Sequence, residues 1–550
     1  MSRLARIAVP SVSALAVVAL LAGCSATSTS TGPDAGGEPV SGGTLTYLEP
    51  QTWTTLYPPS AGFYPNGGIV NNITDRLLYQ NPETLELEPW IATDYTVNAD
   101  ATEYTFELRT DVTYSDGTPL TAANVVKNID LYGKGDKDRA LPVSEAINNY
   151  GGGEVVDDDT VVFRFTAPSP GFAQAVSTIN SGLLSDASLD RTSEQFGPGN
   201  AKDIIGSGPF VISDEQISTQ TSVTARADYN WAPPSLAHQG PAYLAGIDYI
   251  VAAENSVRVG TVVAGQADVA RNIPAPDEAQ FASGSLSLHA AATNGVNNGL
   301  SFRFREPRLE DVRMRQAIIA GIDRQKIVDT LFTANYPLAT GALAKTALGY
   351  VDTSSFYTYD PERAAALLDE AGWTLGADGI RAKNGEKLTL AFNEALPQPR
   401  SKEVVTLIQE QLGKLGIQVS LFAGDMAAQT KAATDQSTIQ VYHSMVGRAD
   451  FDVLKSQYFS KNRNTLLNLN PADGSIGDPQ LDTLLSAIAS EPTTAERQTA
   501  SEAAQQYLAE NAYILPIFEE PQVFGLTAKV QGFDTESVGR PSFYSTWLAG

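Results

Sequence analysis

From residue 44 the chain alternates: Leu45 and Tyr47 fall on one face and Thr44, Thr46 and Leu48 on the other, which predicts an opening strand. The same period of two returns at Tyr104, Phe106 and Leu108, set against Glu103, Thr105, Glu107 and Arg109, and again at Val161, Phe163 and Phe165. Between these lie a turn, Ser115-Asp116-Gly117-Thr118-Pro119, and a helix capped by Thr121 and carrying Val125, Val126 and Ile129. Asp157-Asp158-Asp159 lacks the spaced oxygen ligands of a calcium loop and reads as a solvated turn. In the second half the period lengthens: Met314, Ala317, Ile318 and Gly321 form one helical stripe. Asp360-Pro361-Glu362 opens a helix as cap, first-turn proline and early acid, and Gly372 ends it. Val404, Val405, Ile408, Leu412 and Leu415 predict a helix running through Gly416 into a strand at Ile417, Val419 and Leu421. Helix-to-strand units beside alternating strands indicate a mixed α/β chain with separate lobes.

Upstream the pattern differs. Arg3 and Arg6 precede an apolar run over residues 7–20 that is too short and interrupted to span a bilayer, the layout of a secretory leader. Leu21-Ala22-Gly23-Cys24 closes it and resembles the bacterial lipoprotein cleavage box, in which the cysteine is acylated and becomes the new N-terminus. Two acyl chains hold a protein to a membrane where one does not. Cys24 is the single cysteine of 550 residues, so no intramolecular disulfide is available and the fold rests on core burial. The Ser/Thr/Gly stretch over residues 24–41 cannot bury enough apolar area to order itself and reads as a tether.

The formal net charge is −26, and removal of residues 1–23 with their two arginines makes it −28. Such an excess keeps a protein soluble and disfavours nucleic acid and anionic lipid as partners. Catalytic patterns are nearly absent. Three histidines, His238, His289 and His443, stand without a metal-ligating spacing, there is no Gly-x-Ser-x-Gly elbow, and Gly206-Ser207-Gly208-Pro209 lacks the lysine of a phosphate loop. Paired carboxylates among 63 acids leave a two-acid hydrolase as the catalytic alternative. No metal, cofactor or catalytic residue is assigned.

Several blocks carry a resemblance along nearly the whole mature chain. They are Leu87-Glu88-Pro89-Trp90-Ile91-Ala92, the run from Tyr104 through Ala122, Ile205-Gly206-Ser207-Gly208-Pro209-Phe210, Asp311-Val312-Arg313-Met314-Arg315-Gln316-Ala317, and Tyr359-Asp360-Pro361-Glu362-Arg363-Ala364 with Ala371-Gly372-Trp373. In this order they resemble the family 5 extracellular solute-binding proteins, the dipeptide, oligopeptide and nickel binders of ABC importers. The resemblance implies a type II periplasmic-binding-protein-like α/β fold of cluster C type: two lobes around a hinged cleft with an additional inserted domain. It places lobe I at residues 42–75, 205–295 and 506–550, the inserted domain at 76–204 and lobe II at 296–505, with hinge crossings near Asn297 and Leu515. It also implies a monomer on the extracytoplasmic face that captures a peptide or small organic solute and hands it to membrane permease subunits. The alanine-rich leader and tether favour a Gram-positive surface.

Ligand contacts are sought in the segments lining such a cleft. Trp53, Tyr57 and Tyr64 lie in a Pro/Gly-rich stretch without helical or strand period, where aromatics either stack on a ligand or plug a domain junction. The second segment runs from Tyr442 to Asp450, with His443, Arg448 and Asp450. In peptide-binding relatives this loop commonly carries an acid for the ligand's ammonium; here Arg448 precedes Asp450. An arginine fork suits a carboxylate or phosphate and an aspartate suits an amine, while an Arg448–Asp450 pair that only braces the loop is the plain alternative. His443 is either a ligand group or a hydrogen-bonded core histidine. Asn297, at the expected hinge, completes the set. A non-peptide anionic solute, or presentation of the ligand to a membrane sensor, remains open.

Overall fold

The computed structural model describes residues 37–550 except 283, 397, 434, 436, 462–466 and 468–476. Cys24, the leader and residues 24–36 of the tether lie outside the described residues. The expected opening strand is Thr44–Glu49, at the centre of a seven-stranded sheet. It pairs in parallel with Gly246–Val251 on one side and Val269–Arg271 on the other. Antiparallel Gln220–Ala225 and Phe210–Gln216 complete one edge, and Gln522–Thr527 with Leu286–Ala291 the other. Leu45 and Tyr47 enter one apolar core and Leu48 another, so both faces of the central strand are covered.

A second, five-stranded sheet runs in the order Gln418–Phe422, Thr389–Asn393, Val441–Gly447, Gly295–Phe302, Ile514–Phe518. Two of its helices begin where short polar side chains cap the first turn: Asp311 Oδ accepts from Arg313 N–H before Val312–Ala320, and Asp360 does so from Arg363 N–H before Pro361–Glu370. The helix expected to run through Gly416 stops earlier, at Gly413. Gly416 then takes φ +80°, a left-handed turn that lets the chain reverse into Gln418–Phe422.

A third sheet, all antiparallel, is ordered Ala92–Val97, Glu103–Leu108, Thr160–Phe165, Tyr150–Val155. The alternating residues Tyr104, Phe106, Phe163 and Phe165 point inward and meet Phe172, with ring centroids 4.7–6.0 Å from it. The helix Ala122–Lys134 covers this sheet, its cap Thr121 accepting from Asn124 N–H.

The expectation that residues 506–550 all belong with the first sheet needs correcting. Ile514–Phe518 is wholly buried and pairs antiparallel with Gly295–Phe302 in the second sheet. The apolar run Ile-Leu-Pro-Ile-Phe must be covered on both faces, and the chain leaves it only at the polar step Glu519-Glu520-Pro521. The two large sheets are therefore joined at residues 292–294 and 519–521. Gly295 opens the first entry with φ +131°, and a Cβ there would stand 2.2 Å from Val446 O. Among the described residues no helix is long and apolar enough to cross a membrane.

Candidate functional site

A cavity of about 410 Å³ opens where the three sheet regions meet. Residues 59–60, 62–64, 271–272, 536–538 and 540 wall one side, residues 445–449 with Gln457 the other, and residues 144–146 and 178–180 close it from the third region. Its size falls among small-ligand clefts.

The first wall is built around buried charge. Arg271, at the end of a central strand, donates from Nε to both oxygens of Glu49 at 3.0 Å and from Nη1 to Gln522 Oε1 at 2.8 Å. Nη2 also donates to Glu49, which further accepts from Tyr47 O–H at 3.1 Å. Tyr64 lies between two guanidinium groups, with Arg271 5.2 Å and Arg540 4.9 Å from its ring centroid. Its hydroxyl donates to Val538 O at 2.8 Å, and burial pushes its pKa up to about 12. Arg540 donates to Gly62 O at 2.6 Å and to Glu536, while its Nε has no partner among the described residues.

The opposite wall follows the strand Val441–Gly447. Arg448, fixed by its N–H donating to Asn294 O at 2.7 Å, donates from Nε to Asp450 Oδ2. Nη1 is buried and has no partner among the described residues. Burial pulls the guanidinium pKa down, but the carboxylates of Asp450 and Asp452 outweigh it and hold it above its ordinary value. The other oxygen of Asp450 accepts from Asp452 N–H at 2.8 Å, so that acid is committed on both sides.

Glu520, on the step between sheets, is the deepest acid on the cavity wall, 6% exposed. Behind it runs a hydrogen-bond chain. Ser401 Oγ accepts from Ala395 N–H and donates to His443 Nδ1 at 2.9 Å; His443 Nε2–H donates to Asn298 Oδ1 at 2.6 Å; Asn298 Nδ2–H donates to Glu520 Oε2 at 2.8 Å. Burial lowers the His443 pKa to about 4, so the ring is neutral and serves as one donor and one acceptor. Burial also raises the Glu520 carboxyl to about 7, against the opposing pull of Asn298 and Arg271.

Of the residues singled out by sequence, Tyr64 and Arg448 line this cavity, on opposite walls. The others are placed elsewhere. Trp53 is buried, donates from Nε1 to Thr221 Oγ1 at 2.9 Å and borders a separate small void. Tyr57 packs on Tyr132 and Phe196 at the junction with the third region. Asn297 donates to Gly341 O and Leu343 O, bracing a loop; His443 and Asp450 are held as described. Sequence reasoning missed Arg271, Arg540 and Glu520. Only Glu520 had a readable signal, an acidic pair and a proline between two apolar strands.

Comparison with known proteins agrees with this architecture. Residues 86–464 match the family profile described as bacterial extracellular solute-binding proteins, family 5 middle. The glutathione-binding protein GsiB of Escherichia coli K12 is 24% identical over 495 residues, covering 88% of this chain and 90% of the relative. Among solved structures, the oligopeptide-binding protein AppA of Bacillus subtilis, bound to a nonapeptide, superposes with a TM-score of 0.76 at 19% identity over 93% of this chain and all of that one. AgaA of Agrobacterium tumefaciens, bound to agropinic acid, gives 0.72 at 22% identity over 92% of this chain and 99% of that one. These neighbours fix the type II periplasmic-binding-protein fold, and the relatives are named as binding proteins, for oligopeptides, dipeptides and glutathione. On the extent of the profile match, the chain belongs to the family 5 bacterial extracellular solute-binding proteins.

Proposed function

We propose that this protein is a lipid-anchored receptor that captures a short peptide, or an organic solute of similar size, and delivers it to the permease of an ABC importer. The seven-stranded sheet is the core of lobe I, residues 42–75, 205–295 and 519–550; residues 76–204 form the inserted domain and 296–518 lobe II. Rotation about the steps at 292–294 and 519–521 closes the cleft over the solute, so that a ligand touching both walls favours the closed form by its differential affinity. The observation that carries this reading is the cavity walled by all three regions, with Arg448 on its lining and the buried Nη1 of that guanidinium without a partner among the described residues. A carboxylate is the ligand group that satisfies it best. GsiB and AppA are named for glutathione and oligopeptides, which supports a peptide-like solute. His443 is a hydrogen-bonded core histidine here, both ring nitrogens being engaged by Ser401 and Asn298.

Intact mass spectrometry of the protein extracted from its own membranes, under native and then denaturing conditions, tests both parts. The expected result is a chain beginning at an acylated Cys24 that releases a peptide-sized carboxylic compound on denaturation. An unmodified chain removes the anchor; a released compound without a carboxylate removes the Arg448 reading.

A further inference from the structure

The cavity is lined by three acids, Glu145, Glu520 and Glu536, and they are not equivalent. Glu145 is exposed and acts electrostatically on Arg448. Glu536 accepts from Arg540 N–H, Val538 N–H and Arg540 Nη1 through one oxygen and is tied into its own turn. Asp450, the acid expected from sequence to meet an amine, is spent on Arg448 and Asp452 N–H and does not line the cavity. Glu520 differs from all of these. Its Oε2 takes one hydrogen bond from Asn298, and no bond from the described residues reaches Oε1.

The surroundings explain why that oxygen needs a donor from outside. Every donation in the chain Ser401, His443, Asn298 points toward Glu520, so its backing supplies one N–H and nothing more. The charged and titratable groups that face it are Arg271 from the central strand, Tyr64 from the helix Tyr64–Ile73 and Tyr336 from the loop after Arg324–Leu331. Arg271 directs its donors at Glu49 and Gln522, and the Tyr64 hydroxyl donates to Val538 O. A buried carboxylate answered by one neutral amide is poorly compensated, and a cationic nitrogen brought by a ligand would complete it.

We propose that Glu520 receives a nitrogen donor of the solute, so that the class of compound taken is amphoteric: a carboxylate toward Arg448 and an amine toward Glu520. The assignment rests on the receptor reading above and relocates the amine-binding acid from the loop at Asp450 to the step between the sheets. Free short peptides satisfy it, as do other amino-acid derivatives with both charges.

The test uses the mature protein, freed of solute by unfolding and refolding, in thermal-shift titrations with three probes. These are a casein hydrolysate of short peptides, the same hydrolysate acetylated at its amines, and the same hydrolysate amidated at its carboxyls. Acetylation is expected to raise the half-saturating concentration at least tenfold, the loss of one charge-assisted hydrogen bond. In Glu520→Gln, which keeps the side-chain shape, the untreated hydrolysate should weaken by a similar factor and acetylation should lose its effect. An equal response of the wild type to untreated and acetylated hydrolysate overturns the Glu520 assignment while leaving the receptor reading intact. So does a Glu520→Gln variant that still discriminates between them. No response to any of the three refutes the peptide-type receptor reading, and the assignment falls with it.

Discussion

Arg271, buried, and Arg448, half-buried, line the same cavity from opposite walls and are wired in opposite ways. Arg271 spends Nε, Nη1 and Nη2 on Glu49 and Gln522, residues on strands of its own sheet. Arg448 spends Nε on Asp450, and no described residue answers its Nη1. A buried cation whose partners are internal serves the scaffold, whereas one left partly unpaired is held for something that arrives later. The lesson is that charge on a cleft wall identifies a ligand contact only after the internal partners have been subtracted.

The strongest way to break that contrast is to remove a scaffold partner. Glu49→Ala leaves Arg271 buried and uncompensated, and is expected to destabilise the fold by about 3–5 kcal/mol in chemical denaturation. A loss below about 1 kcal/mol, with solute affinity reduced instead, would mean that Arg271 is a ligand group after all.

Next in size is the pH dependence set by Glu520. Its folded pKa of about 7 exceeds its ordinary value of 4.5. The native state therefore binds more protons than the unfolded state between those values, and this group's contribution to stability falls as pH rises through that window. At about 1.4 kcal/mol per unit, Glu520→Gln should become more stable than the wild type by up to about 3 kcal/mol above pH 7, and show no advantage at pH 4. Parallel stability curves for the two proteins would contradict the uncompensated carboxylate.

Smaller still is the effect at the opposite wall. Arg448→Met combined with Asp450→Asn removes both charges together, so no lone buried ion remains. Affinity for carboxylate-bearing peptides should drop roughly tenfold or more, with little change for their C-terminal amides. An unchanged affinity would make the pair a brace only. Last, Trp53→Phe should cost about 1 kcal/mol of stability through the lost bond to Thr221 and leave binding untouched; a binding defect would return Trp53 to the site.

Local patterns told much of the fold and little of the site. The strand Glu103–Leu108 and the helices after Thr121 and Asp360 are legible because alternation, caps and first-turn residues act within a few positions of each other. The partnership of Glu49 with Arg271 spans 222 residues, as does that of Asn298 with Glu520, and nothing near either member announces it. The Arg448–Asp450 pair was visible because its members are two residues apart, and bracing was one of the two readings it allowed. What sequence could not supply was the unanswered Nη1, which is a statement about everything else that fails to reach it. Ile514–Phe518 was misplaced for a related reason: an apolar strand does not say which sheet will cover it.

The two short steps joining the sheets have a mechanical consequence. A group near an axis of rotation travels little, and one far from it sweeps a long arc. Glu520 lies on one step, and Arg448 is hydrogen-bonded to Asn294 on the other. If closure turns about these steps as proposed, both groups move little and could hold a solute by its two ends before the cleft shuts. The cavity is closed from the third region by residues 144–146 and 178–180, which lie on neither step. On this geometry the charged ends decide admission, and the length and girth of the middle decide whether the door can latch.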